Sequence, residues 1–310
     1  MKILILGAGG IGGYYGARLI QAGADVTFLV REARARQLST DGLVVRSEAG
    51  NANLAVKTVS AETVAQDYDL VMLTNKAYDL DTAILAIEPV LGPSTVVLPF
   101  LNGMSAYERL DGRFGRTRIL GGVAQIAVSL KADGSIVHHG LLDSVAVGSR
   151  DAHTKDRARA FHELLARSPG QRRLSDTIEQ DLWNKWVLIA CGAMMTALMR
   201  GSIGDILATS SGRMLMEQAM RECSGVALRS GYALPDAATQ IMRSRLLDLD
   251  SNWVASMARD MAIDAPRIEA DAIIGDMIKR AAAHDVEAPL LTTAYCHLQV
   301  YQNQQNRKLG

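Results

Sequence analysis

The chain has 310 residues, 48% of them hydrophobic, and its 33 Lys plus Arg balance its 33 Asp plus Glu, for a formal charge of zero. That length is a prior for two domains with a sizeable core, and the even charge gives no footing for a nucleic-acid or anionic-membrane partner. Cys191, Cys223 and Cys296 form no C-x-x-C pair, which argues against a disulfide framework or a zinc site; they read as buried thiols in a reducing compartment. The N-terminus is already a core strand without a signal-peptide layout, and no apolar run reaches membrane-spanning length, so a cytoplasmic protein is expected.

The first sixteen residues organise the rest. Ile3 to Leu6 form a short apolar run suited to a strand buried on both faces. Gly7-Ala8-Gly9-Gly10-Ile11-Gly12 follows, a G-x-G-x-x-G match, and Ile11 to Ala22 has helical spacing. Strand, glycine turn and helix form the context in which this motif binds a dinucleotide. Gly7 permits the tight turn, Gly9 lets a pyrophosphate approach the backbone, and Gly12 lets the helix pack closely. The helix N-terminus offers N–H groups and partial positive charge to the phosphates. Ala24 to Val30 reads as the second strand, completing a βαβ unit, with Arg31 and Glu32 at its end. An NAD enzyme usually has an acid there for the ribose hydroxyls, whereas Arg31 can pair with a 2′-phosphate, which favours NADPH; Glu32, if it faced the ribose, would suit NADH.

A helix (33–38) and two short alternating strands (43–45 and 54–56) come next. Tyr68 to Leu73 is a parallel strand whose end carries Lys76, and a helix over 79–88 stops before Pro89. Ser94 to Leu101 is another strand, running into an Asn102-Gly103 turn. Both strand ends face the ligand crevice of such a sheet, so Lys76 and Asn102 are candidate contacts for cofactor or substrate. Further strands are expected over 119–129, 136–139 and 144–147, with a hairpin turn at Asp133-Gly134. His138 and His139 read as structural or exposed, because no carboxylate or cysteine is spaced to make a site with them. A helix over 154–167 ends at Pro169-Gly170.

After residue 175 the pattern turns all-helical, which sets two expected domains: 1–175, a doubly wound α/β nucleotide-binding domain, and 176–310, a helical one. Asp176 to Glu179 fits a capping box that opens a long apolar helix, reaching about Arg200. Ser211 is a candidate cap for a helix to Arg229; Pro235-Asp236 starts another, Trp253 to Met261 a further one, and Pro266 a helix to 283. The last helix begins at Glu287-Ala288-Pro289 and is expected to fray through Gln302 to Lys308. Lys185 stands in an otherwise apolar stretch between Trp183 and Trp186. A lysine buried there would have its pKa lowered towards neutrality and could act as a general acid; a lysine snorkelling from an exposed stripe would not. Glu269, expected in the first turn of the 266–283 helix, is a candidate partner or an ordinary dipole-complementing residue.

Over nearly its full length the chain resembles the ketopantoate reductase (2-dehydropantoate 2-reductase) family. The matching pieces are the Gly7–Gly12 motif, Arg31, Lys76-Ala77, Asn102-Gly103-Met104, Leu182-Trp183-Asn184-Lys185, Ser256-Met257, and Glu269-Ala270-Asp271 followed by Ile274-Gly275. The resemblance implies an NADPH-dependent reduction of 2-ketopantoate to pantoate, and a helical domain similar to that of 6-phosphogluconate dehydrogenase. It implies that Lys185 is the general acid, that Glu269 hydrogen-bonds the substrate hydroxyl and holds Lys185, and that Asn102 touches cofactor and substrate. It also places Lys76 on the nicotinamide side, Ser256 on the substrate carboxylate and Arg31 on the 2′-phosphate. Four and eight residues after the lysine, where the family carries substrate-holding asparagines, this chain has Ile189 and Ala193. The segment before Glu269 also departs from the family, reading Asp264-Ala265-Pro266-Arg267-Ile268. A more apolar 2-oxo acid or another carbonyl compound is therefore an alternative substrate, and a non-catalytic NADPH-sensing protein an alternative of another class. The partners expected are a small-molecule 2-oxo acid and a possible second copy of the chain.

Overall fold

The computed structural model describes residues 1–65 and 68–309; Gly310, with which the expected second domain ends, lies outside them. Two compact units divide the chain, one of residues 1–101 and 106–179, the other of residues 102–105 and 180 onward. The chain passes into the second unit after Glu179, four residues beyond the boundary expected from composition, and that unit also takes the turn that begins at Asn102.

The elements of the first unit, in chain order, begin with β1 (Lys2–Leu6), α1 (Gly10–Gln21), β2 (Asp25–Leu29), α2 (Glu32–Asp41), β3 (Leu43–Arg46), β4 (Ala52–Leu54) and β5 (Lys57–Val59). They continue with β6 (Leu70–Leu73), α3 (Leu80–Ile87), β7 (Val96–Pro99), α4 (Ser105–Phe114), β8 (Gly121–Leu130), β9 (Ile136–Gly148), α5 (Lys155–Leu165) and β10 (Gln171–Ser175). Ser105, the first residue of α4, belongs to the second unit. Five strands form a parallel sheet in the order β5-β2-β1-β6-β7. Ile3, Leu4, Ile5 and all four residues of β6 are buried, as expected for strands covered on both faces. A second sheet runs β10-β9-β3-β4, with β8 also paired to β9.

Helix α1 lies between the sheets, against β1 and β2 on one side and β3, β8 and β9 on the other. Its glycines make that possible. A Cβ at Gly13 would come within 2.1 Å of Ile136 Cδ1 in the second sheet, and one at Gly16 within 2.4 Å of the Phe28 ring in the first. The helix is also pinned by a buried charge. The carboxylate of Asp143 accepts hydrogen bonds from Tyr14 Oη (2.9 Å) and Tyr15 Oη (3.0 Å) and pairs with Arg172 at 2.6 Å. Burial works against the charged form, but Arg172 and the two hydroxyls outweigh it and hold the Asp143 pKa below the usual carboxylate range.

Several expectations change here. The strands expected over 136–139 and 144–147 are one, β9, because residues looping out around Gly140 (φ +72°) interrupt the alternation without ending the ladder, and Leu141 there is exposed. Helix α4 and strands β5 and β10 have no counterpart in the sequence reading, and the strand expected over 54–56 ends at Leu54, with residues 55 and 56 joining β4 to β5. β10 is built from Gln171-Arg172-Arg173-Leu174-Ser175, which lacks an alternating apolar pattern; it pairs in parallel with β9 and is largely exposed. His138 and His139 are structural and exposed respectively: the first is buried against Ser47 and Leu142, the second bonds Ser129.

The second unit contains α6 (Ile178–Met199, of which residues 180 onward lie in this unit), α7 (Ile203–Leu207), α8 (Gly212–Arg229), α9 (Asp236–Leu246), α10 (Ser256–Ala262), a π-helical turn (Asp271–Gly275), α11 (Asp276–Ala283) and α12 (Pro289–Leu309). Helix α6 is long and apolar enough to cross a membrane, yet it is largely buried within the protein, as expected for the central helix of a core. It starts at Ile178, two residues past Asp176, and Glu179, the acid of the expected Asp176–Glu179 capping box, pairs with Arg116 at 2.8 Å and Arg150 at 3.2 Å. Ser211 precedes α8 without a side-chain cap bond. Glu222 is buried in α8 and accepts the amides of Leu290 (3.1 Å) and Leu291 (2.8 Å) at the start of α12. The end of α12 does not fray. Tyr301 Oη donates to Ala265 O at 2.6 Å, Gln305 bonds Asp264, and Lys308 pairs with Asp264 at 2.6 Å. Asp264 and Ala265 are thereby tied to α12, and Pro266 opens no helix. Cys191 and Cys223 are buried, but Cys296 is exposed.

Candidate active site

The glycine loop is set by backbone contacts. Gly7 takes φ +92°, and its N–H donates to Leu29 O at the end of β2 (3.0 Å). A Cβ at Gly12 would lie 2.2 Å from Gly7 O and 2.3 Å from Thr74 Oγ1, so only glycine lets α1 start this close to β1. Thr74, at the end of β6, donates to Leu6 O at 2.9 Å. At Gly9 a Cβ would meet nothing within 4 Å, which leaves open space beside the loop. Gly9 is the N-cap of α1, no acid stands in the first turn, and the i→i−4 ladder opens with Gly13 N–H on Gly9 O at 2.8 Å. The amides of Gly10, Ile11 and Gly12 precede that bond, the arrangement by which a helix start binds an anion. Ala8, between the first two glycines, is buried. These features fit the diphosphate of a dinucleotide.

Arg31 is exposed at the N-cap of α2, just past β2, and Lys76 is exposed after β6. Sequence reasoning missed Arg34, three residues after Arg31. Its Nε and Nη2 both donate to Ala8 O, at 3.2 and 3.0 Å, and its Nη1 donates to Gly134 O at 3.0 Å. The arginine fixes the carbonyl at the heart of the glycine motif. No local pattern marks it, because its partners lie 26 and 100 residues away.

In the second unit, Asn102, Lys185 and Glu269 come together. Lys185 Nζ donates to Asn102 Oδ1 at 3.1 Å. Asn102 Nδ2 faces Glu269 Oε2 at 3.5 Å, the outer limit of a hydrogen bond. The amide thus bridges an ammonium and a carboxylate, its oxygen to the cation and its nitrogen to the anion. Burial pulls the Lys185 pKa down from the usual lysine value to about 8, and the charge of Glu269 pushes back in the other direction. Lys185 retains some exposure, as a group that must meet a ligand needs, whereas Glu269 is only 6% exposed. Glu269 does not stand in the first turn of a helix that begins at Pro266. Its carbonyl accepts the amide of Ile273 (3.1 Å), and it stands one residue before Ala270, the N-cap of the π-helical turn.

Ser256 is half-buried at the first residue of α10, and no hydrogen bond joins it to these three among the described residues. Trp253, expected to begin that helix, precedes it. A Cβ at Gly192 would lie 2.3 Å from the six-membered ring of Trp253, so the indole rests on α6. Ala255 N–H donates to Thr196 Oγ1 at 3.3 Å, running the same segment along that helix. Ile189 is half-buried and Ala193 buried. Gly192, Ile189 and Ala193 are seven, four and eight residues beyond Lys185, on the same side of α6. Among the described residues no cluster of His, Cys, Asp and Glu is arranged to hold a metal.

Comparison with known proteins places the chain in a family. Residues 3–152 match the model of the ketopantoate reductase PanE/ApbA family, and residues 177–302 match that of its C-terminal domain. An uncharacterized oxidoreductase of Bacillus subtilis, YkpB, is 35% identical over 302 residues, covering 97% of this chain and 99% of its own. The 2-dehydropantoate 2-reductase of a Nostoc species is 25% identical over 96% of this chain and 94% of its own. The crystal structure of 2-dehydropantoate 2-reductase from Geobacter metallireducens superposes with a TM-score of 0.87 at 26% identity, over 96% of this chain and 99% of that one. The chain belongs to the ketopantoate reductase PanE/ApbA family of nicotinamide-dependent oxidoreductases.

Proposed function

We propose that this protein reduces the keto group of a 2-oxo acid with NADPH, 2-ketopantoate to pantoate being the first reaction to test, and that Lys185 is the general acid. The observation that carries this reading is the Lys185–Asn102–Glu269 chain, with a lysine whose pKa is brought to about 8. Bound NADPH supplies the hydride. Gly7, Ala8, Gly9, Gly10, Ile11 and Gly12 offer the diphosphate open backbone and helix-start amides, Arg31 the 2′-phosphate a guanidinium, and Lys76 a cation after β6. As the keto carbon gains hydride, its oxygen gains negative charge, and Lys185 Nζ–H delivers the proton. Glu269 holds Lys185 and accepts from the substrate hydroxyl, Asn102 touches both cofactor and substrate, and Ser256 holds the carboxylate. On this reading the reaction is a cytoplasmic step of pantothenate biosynthesis.

A second reading, a 2-oxo acid with a more apolar side chain, is favoured by one feature: beyond Lys185 the helix presents Ile189, Ala193 and the Trp253-covered Gly192, none of which hydrogen-bonds a ligand through its side chain. Sites built to bond a hydroxyl reject analogues that lack it, and apolar sites do the reverse only weakly, so rates on a panel separate the two. The test follows NADPH oxidation by the purified protein with ketopantoate and with apolar 2-oxo acids, alongside Lys185→Ala. Turnover reduced by roughly 10²–10⁴ in the variant is expected from loss of a general acid. NADPH binding with no oxidation on any 2-oxo acid would overturn the enzyme reading and leave an NADPH-sensing protein.

A further inference from the structure

Asn102 joins Lys185 to Glu269, so whatever fixes Asn102 fixes the geometry of the pair. The segment 102–105 is held by the residues that follow Glu269. Gly103 adopts φ +83°, and a Cβ there would come within 2.2 Å of Ala272 O, so the backbone of this turn lies directly on the π-helical turn. Two residues on, Ser105 N–H donates to Asp276 Oδ2 at 3.1 Å. Asp276 is 7% exposed, and the same oxygen faces Arg280 Nε at 3.4 Å. The Arg280 guanidinium lies over the rings of Trp183 (5.4 Å) and Trp186 (5.5 Å), which flank Lys185 in sequence. Trp186 Nε1–H in turn donates to Ile273 O at 3.0 Å.

These contacts close a circuit. It runs from Lys185 through its neighbour Trp186 to the π-helical turn, from there to Asp276 and Ser105, and back through Asn102 to Lys185. The π-helical register is part of it. A π turn holds one residue more than an α turn, and one residue rotates a helix by about 100°. Without that extra residue Asp276 would face away from Ser105.

We propose that Asp276 is a positioning residue: through Ser105 it holds Asn102 where its Oδ1 meets the Lys185 ammonium. It touches neither substrate nor cofactor in this role. The inference rests on Lys185 being the acid of the proposed reaction, but its geometry does not, so the two can fail separately.

The test compares Asp276→Ala, Asp276→Asn and Ser105→Pro with wild type. Asn keeps an oxygen that can accept the Ser105 amide. Proline at residue 105 removes that amide at the first position of a helix, where proline is well tolerated, and leaves Asp276 in place. Small displacements of a reacting group are costly, so Asp276→Ala and Ser105→Pro are each expected to lower kcat about tenfold with KM changed much less. Their effects are expected not to add in the double variant, and Asp276→Asn to retain most of the rate. A second readout does not need turnover: the pKa of Lys185, from the pH dependence of its acylation by a small reagent, read by peptide mass spectrometry. Loss of the Asn102 acceptor is expected to bring that pKa below its wild-type value in Asp276→Ala and Ser105→Pro, but not in Asp276→Asn. A wild type that reduces no 2-oxo acid would overturn the proposed reaction, and the labelling would still decide the positioning role. Unchanged kcat and unchanged labelling in folded Asp276→Ala and Ser105→Pro would overturn the positioning role.

Discussion

The glycine loop and the lysine site solve the same problem, holding polar groups ready for a ligand, with opposite materials. The loop uses backbone. Its amides point from the start of α1, and its shape follows from where a Cβ cannot go. The lysine site uses side chains from three separated segments, 102–105, α6 and 269–276, and its shape follows from charge and hydrogen bonding. A backbone site is spoiled by an added atom where its chains pack closest, as at Gly12, but little in it depends on pH; a side-chain site is governed by ionisation.

The sharpest way to break this contrast is to add one methyl group to the loop. Gly12→Ala would place Cβ 2.2 Å from a backbone oxygen, which no rotamer can relieve. Overpacking of this kind costs about 1–3 kcal/mol, and the helix start must shift to accommodate it. NADPH affinity, measured by quenching of protein fluorescence, is expected to fall by more than tenfold, with a lowered melting temperature. Gly9→Ala, where a Cβ meets nothing within 4 Å, is expected to leave the melting temperature unchanged and weaken only NADPH binding. If the Gly9 variant loses stability and the Gly12 variant does not, the backbone account of the loop is wrong.

The lysine site should answer to pH instead. Its pKa of about 8 means that the protonated, proton-donating form is lost as pH rises through 8. The rate of keto-acid reduction is therefore expected to be flat below that point and to fall about tenfold per pH unit above it. Glu269 raises the lysine's pKa, so Glu269→Gln removes a stabilising charge and should move the falling limb to lower pH. A limb that moved to higher pH, or stayed put, would mean that Glu269 does not act on Lys185.

The same contrast governs what could be read in advance. The loop is contiguous, and each glycine has a local reason, so a strand–turn–helix reading of Gly7 to Gly12 suffices to place it. Lys185 is marked by its apolar neighbours, but neither Asn102 nor Glu269 is marked as its partner within the sequence; they are 83 and 84 residues from it, on opposite sides. Only the family resemblance grouped them. What stayed illegible has the same cause. Asp276 in a first turn looks like any dipole-complementing acid, and Ser105 acts through its amide, which every residue but proline has. The π-helical turn carries no start signal of its own, whereas Pro266 does, and the ties of Asp264 and Ala265 to α12, which no local pattern marks, keep that proline from opening a helix. Strand β10 is legible only through its pairing with β9.

The smallest expected effect separates the loop's two arginines. Arg31 is exposed past β2 and, on the proposed reading, meets the 2′-phosphate that distinguishes NADPH from NADH. Arg34 is half-buried and spends three donors on Ala8 O and Gly134 O, so it acts on the loop and not on the phosphate. A charged hydrogen bond is worth about 1.5–3 kcal/mol, so Arg31→Ala should weaken NADPH binding at least tenfold and leave NADH nearly unaffected. Arg34→Ala should weaken both cofactors by the same factor, about threefold, because a loop that has lost one of several restraints pays a smaller and cofactor-independent cost. The ratio of the two dissociation constants is the informative quantity, since it cancels any general loss of stability. If Arg34→Ala changes that ratio, the 2′-phosphate reaches Arg34 and its bonds to Ala8 and Gly134 rearrange on binding. If Arg31→Ala leaves the ratio alone, Arg31 does not meet the 2′-phosphate, and Glu32 beside it becomes the residue placed to meet the ribose of NADH.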